Sequence, residues 1–269
     1  MKPGEREYWP VLVVLAVVPW LCVGIARRLG LRLLPPQRFR AVPWGWTDAA
    51  LLLFGSELVL PQVVAALWVL ASPMLAKDPR LPLVVTAQAG AITVLLLPLI
   101  MVWSGKGLPY QMGLHCGRLG QNALLGVISY FLVTPLVAIA YVLAALWYQP
   151  TPHKIETIFS SQPTLENLAI SLFTAVVVAP FQEELLFRGV LQPLLRRTWG
   201  VWPAIVGSSL LFAALHVDAW PAPIPLFVLA LFLGYLAHRT ASLVGPIVLH
   251  GIFNGVSMLV LVVKVFGGS

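Results

Sequence analysis

Residues 81–103 read LPLVVTAQAGAITVLLLPLIMVW, running from Leu81 to Trp103 without one charged side chain. A helix crosses the hydrocarbon core of a bilayer with roughly 20 mostly apolar residues. Runs of the same kind start near Trp9, Asp48, Asn122, Asn167, Trp202, Ile224 and Ala241. The sequence therefore predicts an all-α polytopic membrane protein of about eight transmembrane helices. The seventh is expected to be short, and Pro221, Pro223 and Pro225 interrupt the sixth and seventh. Composition agrees. Of 269 residues, 59% are hydrophobic and 10% are charged, with a mean hydropathy of +0.89. A soluble domain carries about 25% charged residues, so this chain cannot cover a water-facing surface.

The net charge of +7 does not require a nucleic-acid partner. Membrane proteins concentrate Lys and Arg in cytoplasmic loops. With loops numbered alternately, one side receives Arg27, Arg28, Arg32, Arg38, Arg40, Lys106, Arg118, Arg188, Arg196, Arg197 and Arg239, 11 of the 17 basic residues. Lys2, Arg6, Lys77, Arg80, Lys154 and Lys264 make up the other 6. This bias places both termini outside and the Arg27–Arg40 loop in the cytoplasm of a multi-pass protein of the cell membrane. The first span does not read as a cleaved signal peptide, because Glu5 and Glu7 share its leader with Lys2 and Arg6, and Arg27–Arg28 follow it. Cys22, inside that span, and Cys116, in a loop, support neither a disulfide framework nor a thiolate metal site.

Residues 148–166, with Pro150, Pro152 and Pro163, form a connecting loop between two groups of four spans. Residues 1–147 carry few ionisable groups at membrane depth, whereas 167–266 hold nearly all of them. The acidic residues deep in apolar sequence are Glu57, Glu183 and Glu184, and the histidines within spans are His216 and His250. Charges are costly in a membrane, so these residues are functional candidates. Glu57 reads either as a hydrogen-bonded packing residue or as a cavity-lining one. Asp218 reads as a span-end residue, and His115, His153 and His238 as solvated or interfacial. Tryptophans such as Trp9, Trp103, Trp147 and Trp202 mark an interfacial belt.

The densest polar stretch is Pro180-Phe-Gln-Glu-Glu-Leu-Leu-Phe-Arg-Gly189. On a helix Glu184 meets Arg188 four residues later, with the acid on the N-terminal side. Glu183 lies about 100° round the helix and faces a different partner. Phe212 and His216 share a helical face, as do His250 and Asn254. A turn near Gly200 puts Glu183 17 residues before it and His216 16 after it, at nearly equal depth in an antiparallel hairpin. A turn near Thr240 leaves His250 roughly 10 Å shallower, at 1.5 Å rise per residue. Tilt or a buried turn must absorb that gap. A carboxylate, two imidazoles and an amide converging inside a membrane suit hydrolysis. Removal from water brings a carboxylate toward the range of a useful general base, and His and Asn donors stabilise a developing oxyanion. The same set could serve as a Zn²⁺ site through Glu183, His216 and His250 with an open water position.

Glu183-Glu184-x-x-x-Arg188, Phe212-x-x-x-His216 and His250-x-x-x-Asn254 resemble the three ordered motifs of the CPBP family, the type II CAAX prenyl proteases and the related bacteriocin-processing and self-immunity proteins. Phe187-Arg188-Gly189 and Ser208 through Phe212 agree as flanks. The resemblance covers Asn167–Ser257, about a third of the chain. It implies an intramembrane endopeptidase acting on a membrane-associated or lipidated peptide, with residues 167–266 as the catalytic four-span region. It further implies that Glu183 and His216 activate water, that His250 and Asn254 support the oxyanion, and that Glu184 and Arg188 are structural. No cofactor is favoured, and zinc is the alternative. The expected partners are that substrate and the lipid bilayer, with no nucleic acid. Two rival readings keep the same residues. One is a non-catalytic scaffold or bacteriocin self-immunity protein with the protease fold. The other is a proton-coupled transporter, which should show inverted repeats that the sequence lacks.

Overall fold

The structure is a computed structural model that describes residues 9–29, 34, 42–115, 117–149, 151, 157 and 163–266, with side chains from residue 17 onward. Among these residues there is no strand. Eight helices follow one another: α1 (Trp9–Arg28), α2 (Trp46–Ala71), α3 (Leu81–Trp103), α4 (Leu119–Ala145), α5 (Leu165–Trp199), α6 (Val201–Ala214), α7 (Pro223–Thr240) and α8 (Val244–Phe266). Each starts within three residues of the position read from the sequence. Six of them, α2 to α5 with α7 and α8, are long and apolar enough to cross a membrane. Their large apolar side chains, Leu51, Leu67, Leu95, Leu99, Ile139 and Val260 among them, face outward. That much contiguous apolar surface suits lipid and not water.

The short apolar helix is α6, with 14 residues, and not the seventh, as the sequence had suggested. At about 1.5 Å per residue it spans only about 21 Å. The prolines explain the difference. Pro221 lies in the turn after α6, while Pro223 and Pro225 sit in the first turn of α7, where a missing N–H costs no helical hydrogen bond. They therefore start α7 instead of breaking it.

Loop residues gather at two ends. At one end Lys106 pairs with Asp48 at 3.1 Å, Arg197 donates to the Val42 carbonyl at 3.2 Å, and His115 Nε2 donates to the Ala241 carbonyl at 2.9 Å. At the other, Arg80 pairs with Asp78 at 2.9 Å and Glu166 at 3.3 Å, and Thr151 Oγ1 donates to the carbonyls of Asp218 and Trp220. These groups follow the alternation read from the sequence. Arg188 is the exception, since it is buried within α5 at 2% exposure and is no loop residue. The termini, Arg32, Arg38, Arg40, Cys116, His153 and Lys154 lie outside the described residues. Two histidines depart from the solvated reading: His115 is half-buried, and His238 is buried at 6% exposure against α5. Trp103, Trp147 and Trp202 face outward as a belt would, but Trp44 is fully buried and donates its indole N–H to the Val190 carbonyl at 3.0 Å.

The main core lies along α5, where Leu185, Leu186, Val190 and Leu194 pack with Phe212 of α6 and Ala230 of α7. A second core joins Val133 and Val137 of α4 to Leu229, Leu233 and Leu236 of α7 and Leu249 of α8. The first half of the chain is therefore packed into the second. Three π turns interrupt the α-helices, Gly55–Val59 in α2 and Thr174–Val178 and Leu185–Leu191 in α5. Such turns shift the register of side chains and are frequent at functional sites. Here they border the polar cluster: Glu57 lies in the first, and Pro180–Glu184 lies between the other two.

Candidate active site

Glu184 and Arg188 form the predicted pair, with Arg188 Nη1 2.9 Å from Glu184 Oε1 and both side chains completely buried. Arg188 Nη2 donates to the Ala230 carbonyl of α7 at 3.1 Å, and its guanidinium carbon lies 4.8 Å from the centre of the Phe212 ring. A guanidinium withdrawn from water needs such partners. Phe212, itself fully buried, is a hub. Its ring meets Phe187 edge-on at 5.4 Å, His250 edge-on at 5.7 Å and His216 at 5.0 Å.

The Glu184 carboxylate has a second partner that helical spacing does not reveal. His250 Nδ1 lies 3.0 Å from Glu184 Oε1. A carboxylate held by a guanidinium can only accept, so Nδ1 carries the proton and donates. The other ring nitrogen, Nε2, then points at Glu183 Oε2 across 3.6 Å. That separation is too long for a direct hydrogen bond. Glu183 Oε2 has no hydrogen-bond partner among the described residues. The two glutamates also differ in access, with the Glu183 side chain 20% exposed and that of Glu184 sealed.

The turn into α8 is covered by its neighbours, with Thr240, Ala241, Ser242 and Leu243 all at or below 9% exposure. Gly251 completes the approach, because a Cβ there would stand 2.8 Å from the Val176 carbonyl oxygen on α5. Only glycine lets the two backbones come so close. The neighbours of Gly251 benefit on both sides: His250 reaches Glu184, and Asn254 Nδ2 donates to the Ala175 carbonyl at 2.8 Å. One amide N–H of Asn254 is thereby fixed on the π turn of α5, and the second remains.

His216 follows the end of α6, in a turn and not within the helix, and its ring is half-buried. Nδ1 donates to the Phe212 carbonyl at 2.9 Å, which leaves Nε2 as a lone-pair nitrogen. Glu183 contacts His250 rather than His216. What connects Glu183 with His216 is Glu57, whose charge lies within electrostatic range of both. Glu57 accepts from Gln182 Nε2 at 2.8 Å, so it is hydrogen-bonded to another helix and borders the site as well. Gln182 itself was missed in the sequence. Its signal is Gly90 of α3, where a Cβ would stand 2.5 Å from Gln182 Oε1. Asp218 is exposed in the turn beyond α6, as a span-end residue should be.

Among the described residues no three His, Cys, Asp or Glu side chains are placed to hold a metal ion. Glu183, His216 and His250 would have to draw together around one. What the site does assemble is an accessible carboxylate, two imidazoles of fixed tautomer, an amide and a sealed ion pair. No curated protein sequence and no solved structure matches the chain. Residues 165–256, which hold all three motifs but not Glu57, match the family model described as type II CAAX prenyl endopeptidase Rce1-like.

Proposed function

We propose that this protein is an intramembrane endopeptidase that cleaves a peptide bond of a membrane-embedded or lipidated substrate with a Glu- and His-activated water. The observation that carries this reading is His250 held between two unlike glutamates. Glu184 fixes its Nδ1–H, and Glu183 stands 3.6 Å from its Nε2, so that both groups can engage one water admitted to the site. The Rce1-like family match supports hydrolysis of the CAAX-protease type.

The steps follow from the donors and acceptors. Glu183 takes a proton from the water, which His216 Nε2 helps to hold, and the hydroxide attacks the scissile carbonyl carbon. The resulting oxyanion accepts from the second N–H of Asn254, on the same face of α8 as His250, which Glu184 holds in place. The proton on Glu183 passes to the amine as the C–N bond breaks. Glu184 thus both neutralises Arg188 and orients His250, a wider role than its spacing to Arg188 suggested. The amide of Asn254 is a poor zinc ligand and a good oxyanion donor, and the three zinc candidates do not form a cage as placed. No step is routed through a metal.

All eight helices cross or enter the bilayer in this reading, with α6 reaching only part-way and the catalytic residues in 167–266. The termini are outside and the end bearing Lys106, Arg196, Arg197 and Arg239 is cytoplasmic, as the excess of basic residues favours. The test is cleavage by the purified protein in nanodiscs, against farnesylated CAAX peptides and unmodified membrane-anchored peptides in parallel. Cleavage lost in Glu183→Gln is expected. Folded wild-type protein that binds a peptide and cleaves none of the panel would point to the scaffold reading instead.

A further inference from the structure

A second carboxylate borders the space in which Glu183 acts, and it takes no part in the proton transfers. Glu57 lies in the π turn Gly55–Val59 of α2, with its side chain half-buried. Gln182 Nε2 donates to Glu57 Oε1 at 2.8 Å. Gln182 directly precedes Glu183 on α5 and is seated on Gly90 of α3, where a Cβ would stand 2.5 Å from its Oε1. The amide therefore fixes the Glu57 carboxylate in place, and being neutral it leaves the charge uncancelled. Glu57 acts electrostatically on both Glu183 and His216, which sets its carboxylate beside the reacting groups. The balance of charge there is one-sided. Among the described residues neither Glu57 nor Glu183 is paired with a lysine or arginine. The nearest cation along α5, Arg188, is engaged with Glu184 at 2.9 Å, and both side chains are completely buried. His216 and His250 carry no permanent charge. A peptide entering on the accessible side thus meets two carboxylates that have no cation of their own.

We infer that Glu57 is a specificity-determining residue. With Glu183 it makes the site select a peptide bond flanked by a basic side chain and disfavour one flanked by an acidic side chain. The inference rests on the endopeptidase reading and names the substrate class of that same site. Two unit charges about 8 Å apart, at an effective dielectric of about 20, alter an affinity by roughly thirtyfold. Desolvation of the incoming charge offsets part of this, so a discrimination of about tenfold is expected. Glu183 alone cannot supply it, because that group takes up a proton during the reaction. Glu57 keeps its place and its partner throughout.

The experiment uses the full chain in nanodiscs and a membrane-anchored peptide library in which lysine, acetyl-lysine or glutamate stands at one position at a time. Cleavage is read as kcat/KM and binding by fluorescence anisotropy, for wild type, Glu57→Gln and Glu57→Asp. At a position beside the cleaved bond, wild type should favour lysine over glutamate by about tenfold or more, with acetyl-lysine between them. Glu57→Gln still accepts from Gln182, and in it the preference should shrink to about threefold or less. Glu57→Asp retains the charge and should retain the preference. The ratio between peptides is the readout, so a change in overall rate in either variant does not decide the matter. The inference is wrong if wild type treats the three residues alike at every position, or if Glu57→Gln discriminates as strongly as wild type. Equal cleavage of all peptides would overturn the selection and leave the endopeptidase reading standing. Preferential binding of lysine peptides with no cleavage of any would do the reverse, and folded wild-type protein that neither binds nor cleaves would overturn both.

Discussion

The adjacent glutamates give the sharpest test of the site. Glu184→Gln turns a 2.9 Å ion pair into a neutral contact and strands the Arg188 guanidinium, whose side chain is completely buried. Removing one member of a buried pair costs about 3–5 kcal/mol. At about 2–4 °C per kcal/mol for a chain of this size, the melting temperature should fall by roughly 6–20 °C. Arg188→Leu should do the same, because it strands Glu184 and also gives up the Ala230 carbonyl. Glu183→Gln is different. Its nearest partner, His250 Nε2, is 3.6 Å away, so no hydrogen bond is lost, and the side chain keeps its shape. Stability should stay within about 0.5 kcal/mol of wild type or rise, as for a substitution outside packing and pairing. Turnover should fall by about 10²-fold or more with the loss of the base. The assay is melting temperature and per-molecule cleavage for all three variants in one nanodisc preparation. A Glu183→Gln that unfolds, beside a Glu184→Gln that stays folded and inactive, would mean that the two roles are reversed.

Glu57→Gln can still accept from Gln182 but removes a charge felt by Glu183 and His216. The variant should fold normally with a displaced pH–rate profile, whereas a wild-type profile would leave Glu57 a packing residue only. Gly251→Ala puts a methyl 2.8 Å from the Val176 carbonyl oxygen, so stability should drop by about 1–3 kcal/mol, with a further per-molecule loss as His250 and Asn254 are displaced. Wild-type melting and turnover would show that the helices do not approach as described. Activity should persist in chelator with well under one zinc per chain, and near-stoichiometric zinc whose removal abolishes and whose return restores activity would overturn metal-independent catalysis.

Much of this arrangement was legible in the sequence because a bilayer constrains a chain so strongly. Apolar length alone located the helices, and four-residue spacing found Glu184 with Arg188. Gly200, with φ +83°, makes the turn that was read there. The parts that stayed hidden depend on where backbones meet. Helical rise left His250 apart from Glu183, and nothing in the residues near Thr240 announces that the turn there is covered by its neighbours. His238 read as interfacial for the same reason, being two residues from the end of α7, yet that end is covered by α5. The three π turns have no sequence signature, and they reset which side chains face the cluster. Gly90 and Gly251 are the nearest thing to a signal, since each marks a close approach that only a packed neighbour explains.

Glu57 extends the site beyond the segment that the family model matches. It belongs to α2, some 125 positions before Gln182, and it reaches the cluster through the hydrogen bond that Gln182 donates. Residues 165–256 therefore carry the motifs but not the whole electrostatic environment of Glu183. The packing of α4 along α7 and α8 adds to this, because the helix that bears His250 is held from the first half of the chain. Two carboxylates from opposite halves act on one imidazole-lined space, and neither half alone would set the balance of charge there. The sealed Glu184 and Arg188 can then be understood as the fixed side of the site. In the proposed reaction the accessible Glu183, together with Glu57 and His216, would form the side that meets water and substrate.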